Sequence, residues 1–418
     1  MASHPHEMLQ DFNHDEKALQ DFVVSFRAHL AGKIRPGLRA VYEQRVKPAF
    51  EKKYNQEPAD KNEVGQEMHQ DSHYQFWNAM QRKSQEMMWD SVISAIEPRI
   101  EEFNERAQQL SANPKGSLEL NPMLEIPVYH TVADIHLQPG GFHSEVADND
   151  VTAGAVYDNA IPIYSNRSRG PKNDALGQTL VQFFQKKYPG RKPGQILDMG
   201  CGIGGNTLAW AEAFPKAEVH GLDVGAPMLR YAHARAESMG IEAHFKQLNA
   251  EVTNYPDESF DVIVSHIVLH ETSTSALSNI FRECYRLLNP GGVMLHTDIP
   301  SVSEPFDAFM MEWETLNSNE NFAATFRETD LAAVATEVGF AEGQARMENM
   351  PRIMEAKKQA ISTIRAGVTG ETVHQATIDV MTAHGYPVGP PSDTRPADFT
   401  GMVHGTGHGI GLDVHESP

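Results

Sequence analysis

Leu19, Phe22, Val23, Phe26 and Leu30 recur at i, i+3, i+4, i+7 and i+11, the spacing of one face of an α-helix. Leu38, Val41, Tyr42, Val46 and Phe50 resume the period beyond Pro36, where the helix is expected to break. A third stretch carries Trp77, Met80, Met88, Val92, Ile96, Ile100 and Phe103, with a kink or restart at Pro98. Residues 1–115 therefore read as a helical cap whose aromatic and Met stripes serve helix packing. From 116 to 170 the period fails among Pro122, Pro127, Pro139-Gly140-Gly141 and Pro162. This stretch reads as an irregular lid or linker, with Ala155-Val-Tyr a short strand or ordered loop. Tyr129, His143, Tyr157 and Tyr164 are the residues it offers to a site.

Residues 171–350 alternate between the two periods. Strands are expected at Gln195 to Met199, Ala217 to Asp223, Ala243 to Leu248, Phe260 to Ser265 and Val293 to Thr297. Helices are expected at Ala175 to Lys187, Asn206 to Phe214, Met228 to Met239 and Ala276 to Leu288, the last stopped by Asn289-Pro290-Gly291-Gly292. Such alternation predicts an α/β fold, a doubly wound parallel sheet that binds ligands beyond the carboxyl ends of its strands. Residues 351–418 change character: two helical stretches, a Pro-rich turn and a Gly/His run.

Composition narrows the function. The chain has 418 residues, 40% apolar, enough for a full core and against wholesale disorder. A formal charge of −21 with no cluster of Lys and Arg argues against nucleic acid as a partner. Two cysteines, Cys201 and Cys284, make no disulfide framework. The start lacks the pattern of a secretory signal, and no apolar run is long enough to span a membrane. A cytoplasmic location is expected.

The sharpest signal is Ile196-Leu-Asp-Met-Gly-Cys-Gly-Ile-Gly-Gly-Asn206, a strand entering a glycine turn that opens a helix. Gly200, Gly202 and Gly205 also fit G-x-G-x-x-G, so a nicotinamide-dependent oxidoreductase is a second reading. Asp198 two residues before the first glycine, Asp223 ending the next strand, Asn249-Ala250-Glu251 after the third and Arg286-Leu-Leu-Asn-Pro-Gly-Gly before the fifth shift the balance. With them the stretch from Gln195 to Met347 resembles class I S-adenosylmethionine-dependent methyltransferases, in their small-molecule branch. The resemblance implies a Rossmann-like methyltransferase sheet and S-adenosyl-L-methionine as cofactor. It implies that Gly200, Gly202 and Gly204 pass beneath the methionine part and that Asp198 orients the loop. Asp223 would bind the ribose, Leu222 and Val224 flank the adenine, Asn249 and Ala250 meet its edge, and Ser265 lie near the methyl group. Many relatives carry Asp at the position of Asn249, which implies a different contact to the adenine amino group here.

Methyl transfer from a sulfonium is an in-line displacement, and the acceptor's proton needs a taker. His266 and His270, four apart after the fourth strand, are the candidates, sharing a face if the segment is helical. The segment lacks the Asn/Asp-Pro-Pro-Tyr/Phe motif of nucleic-acid amine methylation. Phe306, Phe309, Met310, Met311, Trp313, Phe322 and Phe326 form an apolar insert expected to pack as core or, with the N-terminal helices, to roof a pocket. A small-molecule acceptor is the expected partner, with no nucleic acid, no membrane, no metal ligand set and a homodimer left open.

His404-Gly-Thr-Gly-His408-Gly-Ile-Gly-Leu-Asp-Val-His415, with Ala360 to Gly385 before it, resembles the pita-bread metallopeptidases of the prolidase, aminopeptidase P and creatinase family. His408 corresponds to a metal ligand there, and His404 and His415 to substrate contacts. The two aspartates and two glutamates of that family's dinuclear centre have no counterpart. A short α+β fragment without peptidase activity is therefore expected. Metallopeptidase activity and a non-catalytic binding module remain the other readings.

Overall fold

Six strands form one sheet: β1 (Ser117–Glu119), β2 (Gln195–Met199), β3 (Glu218–Asp223), β4 (His244–Gln247), β5 (Phe260–His266) and β6 (Leu288–Thr297). Their order is β1-β4-β3-β2-β5-β6, and every pairing in the sheet is parallel. The chain leaves β2 toward β3 and β4 on one side, then crosses back to β5 and β6 on the other. The carboxyl ends of β2 and β5 thus flank a topological switch point, where open α/β sheets bind ligands. The structure, a computed structural model, describes residues 4–341 and the two positions Gln375 and Asp379. The chain divides into two compact units, Met1–Ala345 and Arg346–Pro418, and the sheet lies in the first.

Helices in chain order are α1 (His14–His29), α2 (Arg35–Val41), α3 (Lys47–Tyr54), α4 (Lys61–Met68), α5 (Ser72–Ile96), α6 (Ile100–Leu110), α7 (Val128–Thr131) and α8 (Thr152–Tyr164). There follow α9 (Ala175–Lys187), α10 (Gly205–Ala213), α11 (Ala226–Met239), α12 (Thr274–Leu287), α13 (Pro305–Asn317), α14 (Ala323–Glu328) and α15 (Leu331–Val338). The period-2 rule of strands sorts the central side chains between two layers. Ile196, Val219, Val262 and Val264 pack with Leu180 and Phe184 of α9 and Trp210 of α10. Leu197, Met199, Leu222 and Ile263 pack instead with Leu277, Ile280, Phe281 and Cys284 of α12.

The expected break at Pro36 does not occur. A π turn, Leu30–Ile34, precedes it and another, Tyr42–Val46, precedes Pro48, so α1 to α3 run on as one helical stretch. A proline lacks the amide for the i→i−4 bond and its ring crowds that carbonyl. The wider turn absorbs both effects, and the Arg35 and Lys47 amides bond five residues back, to Leu30 and Tyr42. Leu19 and Phe22, expected on the buried face of α1, are 45% and 57% exposed; Gln20 and Val23 take the inner positions. The 3-10 turn Glu97–Arg99 stands where Pro98 is expected to restart the helix.

Inside the stretch expected to be irregular, α8 is a full helix. Ala153, Gly154, Ala155, Val156, Asp158, Asn159, Ala160 and Ile163 are buried around most of its circumference, so it shows no apolar stripe of period 3.6. A side chain at Gly154 would place its Cβ 2.4 Å from the Cβ of Tyr231 on α11, so only glycine allows that approach. Val23 of α1, Val92 of α5, Phe103 of α6, Val156 of α8 and Ala234 of α11 share one hydrophobic cluster. The apolar insert packs as core: Phe306, Phe309, Met310 and Trp313 of α13 meet Leu38, Tyr42, Val64 and Trp77.

A buried polar knot ties α8 to α11. Asp158 accepts hydrogen bonds from Tyr231 Oη at 2.9 Å and Asn173 Nδ2 at 2.6 Å, with Arg235 Nη1 at 3.9 Å and His6 Nε2 at 3.3 Å. Burial alone would raise the Asp158 carboxyl, but Arg235 and His6 outweigh it and hold it at about 2. Burial also lowers His6, so at neutral pH the Arg235 guanidinium supplies the positive charge. Asp158→Ala would leave that guanidinium buried without its counter-charge, at a cost of roughly 3–5 kcal/mol. We expect a clearly lower urea midpoint for this variant, whereas Arg167→Ala, which removes an exposed pair with Asp21, leaves the midpoint nearly unchanged.

Candidate active site

The turn after β2 is built by backbone geometry. Gly200, Gly202 and Gly204 sit at φ 69°, 51° and 77°, the left-handed region, before α10 begins. Above Gly202 there is room: an added Cβ would meet nothing nearer than Met228 Cε at 3.7 Å. Asp198 lies behind the turn, 1% exposed, and accepts from Asn206 Nδ2 and Thr207 Oγ1, each at 2.7 Å. Burial pushes its carboxyl up to about 7 despite those bonds, and the charge of Asp223 adds to the rise. At the end of β3, Asp223 accepts from the Gly202 amide at 2.9 Å and the Gly225 amide at 2.8 Å. One carboxylate thereby fixes the glycine turn against the start of α11. Val224 presents its carbonyl to Gln247 Nε2 at 3.0 Å. Asn249 spends its side-chain oxygen on the Glu251 amide at 2.9 Å, Ala250 packs toward the α12 core, and Ser265 Oγ pairs with His296 Nδ1 at 2.8 Å.

His266 and His270 do not share a helix face. His266 closes β5, Ile267 turns to φ 54°, and Leu269–Glu271 forms a 3-10 turn. The cause lies 30 residues away: Asp298, just past β6, accepts from the Val268 and Leu269 amides at 3.2 and 2.9 Å and bends the chain there. The two rings also differ electrically. Burial, with a contribution from Arg169, lowers His266 to about 4, and its Nε2 is buried without a hydrogen-bond partner. Burial disfavours charge on His270 too, but Asp298 at 2.6 Å from Nδ1 and Glu271 at 3.2 Å from Nε2 push it up to about 10.

Residues 116–170 contribute several contacts near these rings. Tyr129 donates to Glu251 Oε1 at 3.1 Å, the His143 ring lies tilted 5.5 Å from His130, Tyr157 meets Phe142 edge-on, and Tyr164 lies 5.9 Å from the His136 ring. His136, Glu320 and Asp298 escape sequence reasoning altogether. His136 Nε2 lies 3.2 Å from Glu271 Oε1 and its Nδ1 3.0 Å from Glu320 Oε1. His136, His270 and Glu271 each bring one ligand-type atom within 4.8 Å of the others. No spacing signal marks these residues, because 136, 270–271, 298 and 320 meet only through the fold. Cys201 and Cys284 are buried. His404, His408 and His415 lie outside the described residues.

Residues 196–292 match the family described as "Methyltransferase domain", and residues 328–418 match "Metallopeptidase family M24". Both resemblances drawn from the sequence are thus found, and the chain carries a methyltransferase domain. It is similar to phosphoethanolamine N-methyltransferase 1 of Arabidopsis thaliana, 38% identical over 123 residues, covering 29% of this chain and 24% of that protein. It is similar also to demethylmenaquinone methyltransferase of Thermus thermophilus, 34% identical over 110 residues, covering 26% of this chain and 49% of that one. A solved structure of Haemonchus contortus phosphoethanolamine N-methyltransferase 2 with S-adenosyl-L-methionine is 21% identical over 49% of this chain and 47% of that chain, with a TM-score of 0.33. The chain spans less than half the length of each of these relatives. The first residues of the M24 match include α15, which packs on α12.

The charge on His270 has a measurable signature. A histidine raised from 6.5 to about 10 stabilises the fold fully below 6.5, and that contribution drains away as pH rises through 10. With divalent ions chelated, the urea midpoint should fall between pH 7 and 9.5 more steeply in the wild type than in His270→Ala. Parallel slopes would refute the assignment of the proton to this ring.

Proposed function

We propose that the chain is an S-adenosylmethionine-dependent methyltransferase acting on a small organic acceptor at the carboxyl ends of β2, β3 and β5. The observation that carries this reading is the left-handed glycine turn held against α11 by Asp223, with open space above Gly202. S-adenosylmethionine, when bound, supplies an activated methyl group on a sulfonium. The Gly200–Gly204 turn lets backbone approach the ligand closely, and Asp223 is the carboxylate for the ribose hydroxyls. Asp198, Val224, Asn249, Ala250 and Ser265 complete the proposed cofactor-binding set. A carboxyl at Asp198 that titrates near neutrality can meet the ligand's amino group in its ionised form.

On the acceptor side the two histidines divide the work. His266 is neutral at physiological pH with a free Nε2, which suits it to hydrogen-bond and orient the acceptor's nucleophile, although burial makes it a weak base. In the metal-free protein Asp298 and Glu271 keep His270 protonated, so it is not the base. A cavity of about 50 Å³ is lined by Arg27, Arg35, Trp77, Gln85 and Tyr164, whose ring also meets His136, with Glu314 the one carboxylate among its lining residues. Arg27 bonds neutral partners, Ser84 and Gln85. We therefore infer an acceptor with an anionic group, a description that fits phosphoethanolamine, the substrate named for several relatives.

Calorimetry with S-adenosylhomocysteine tests the cofactor half. The wild type should bind it and give no heat with NADH, and Asp223→Ala should weaken binding by roughly 10–100-fold. His266→Gln should keep that affinity while turnover of an accepted substrate falls about 100-fold. In an acceptor screen, phosphoethanolamine should be methylated faster than ethanolamine, with the preference reduced in Arg35→Ala. A wild type that ignores S-adenosylhomocysteine would sink the reading.

A further inference from the structure

We infer that His136, His270 and Glu271 form a binding site for one first-row divalent transition-metal ion, which displaces the proton from His270 when it binds. Three features single out this cluster from the other buried charges. First, the donor atoms converge. His136 Nε2 and His270 Nε2 each lie 3.2 Å from Glu271 Oε1, close to the ligand–ligand edge of about 3.3 Å in a tetrahedral site with bonds near 2.05 Å. Second, these short approaches are poorly directed as hydrogen bonds. Both oxygens of Glu271, 13% exposed at the side chain, are buried without a hydrogen-bond partner. Groups whose lone pairs aim at a common point, and not at one another, leave this pattern.

Third, an outer shell is in place. Metal-binding imidazoles usually hand their second nitrogen to a carboxylate, which fixes the ring and raises its basicity. His270 Nδ1 bonds Asp298 at 2.6 Å, and Asp298 is itself held by the Val268, Leu269 and Ile299 amides. His136 Nδ1 faces Glu320 at 3.0 Å, and the His136 carbonyl is pinned by Trp89 Nε1 at 2.8 Å and Gln85 Nε2 at 3.0 Å. His136 itself sits at φ 55°, a conformation that is strained for histidine and that places its ring in the cluster. Two imidazoles and one carboxylate without thiolate select Zn²⁺, Fe²⁺, Mn²⁺ or Co²⁺ over Ca²⁺ or Mg²⁺. Such a triad leaves coordination positions for a small ligand.

The test uses the full chain, stripped with chelator and titrated with Co²⁺ and Zn²⁺, with metal content and ligand-field absorption as readouts. The tail histidines are a second source of ligands, so His404→Ala/His408→Ala/His415→Ala is the background for every variant. In that background one ion should bind per chain. His136→Ala and the shape-conserving Glu271→Gln should abolish binding, and Asp298→Asn should weaken it by about 10–100-fold. Circular dichroism of Glu271→Gln confirms that the fold persists. Loss of all binding on removing the tail histidines, or undiminished binding in Glu271→Gln, overturns the proposal and leaves a buried imidazolium–carboxylate network in its place.

Discussion

All six strands run in one direction, and this single constraint decides where chemistry can gather. Parallel strands send each connecting loop out of the same edge, so residues far apart in sequence arrive together at the carboxyl ends. Asp198, Asp223, His266 and Asp298 all stand at or just past a strand end. The buried alternation of Ile196, Leu197 and Met199 holds the register that aims them. The pairing of Met199 with Ser265 and of His266 with Thr297 brings the glycine turn beside the segment that follows β5. Val268 then packs so close to Gly200 that a Cβ there would sit 2.6 Å from its Cγ1.

Carboxylates do the local fastening. Asp223 draws two amides from different elements, and Asp298 draws three amides and an imidazole. Asp158 performs the same service between α8 and α11. In each case an acceptor-only group takes up donors that the turn leaves unsatisfied.

What could be read from the residues was whatever is written locally. The apolar runs of β2 to β6 and the glycine turn carry their own signals, and the expected strands fall within a few residues of those observed, except that β6 starts at Leu288 and takes in the Asn289-Pro-Gly-Gly stretch expected to be a turn. The helix α8 was illegible because burial on most sides erases the stripe that marks a surface helix. Pro36 misled because a π turn accommodates it. The expectation that His266 and His270 share a face failed through Asp298, a partner 28 residues from His270 in sequence. His136 and Glu320 lay beyond reach for the same reason, since a constellation gathered from four segments has no spacing to recognise.

The helix α15 lies within the stretch that matches the M24 peptidases, yet its Ala335 is buried in one cluster with Leu277, Ile280 and Cys284 of α12. Tyr285 and Phe340 meet edge-on at 5.1 Å beside it. Evolutionary ancestry and mechanical membership therefore part company at this junction. Engineers dissecting the polypeptide along the family boundary at 328 would peel a structural plate off the sheet's outer layer, whereas a cut near 345 would respect the physical seam.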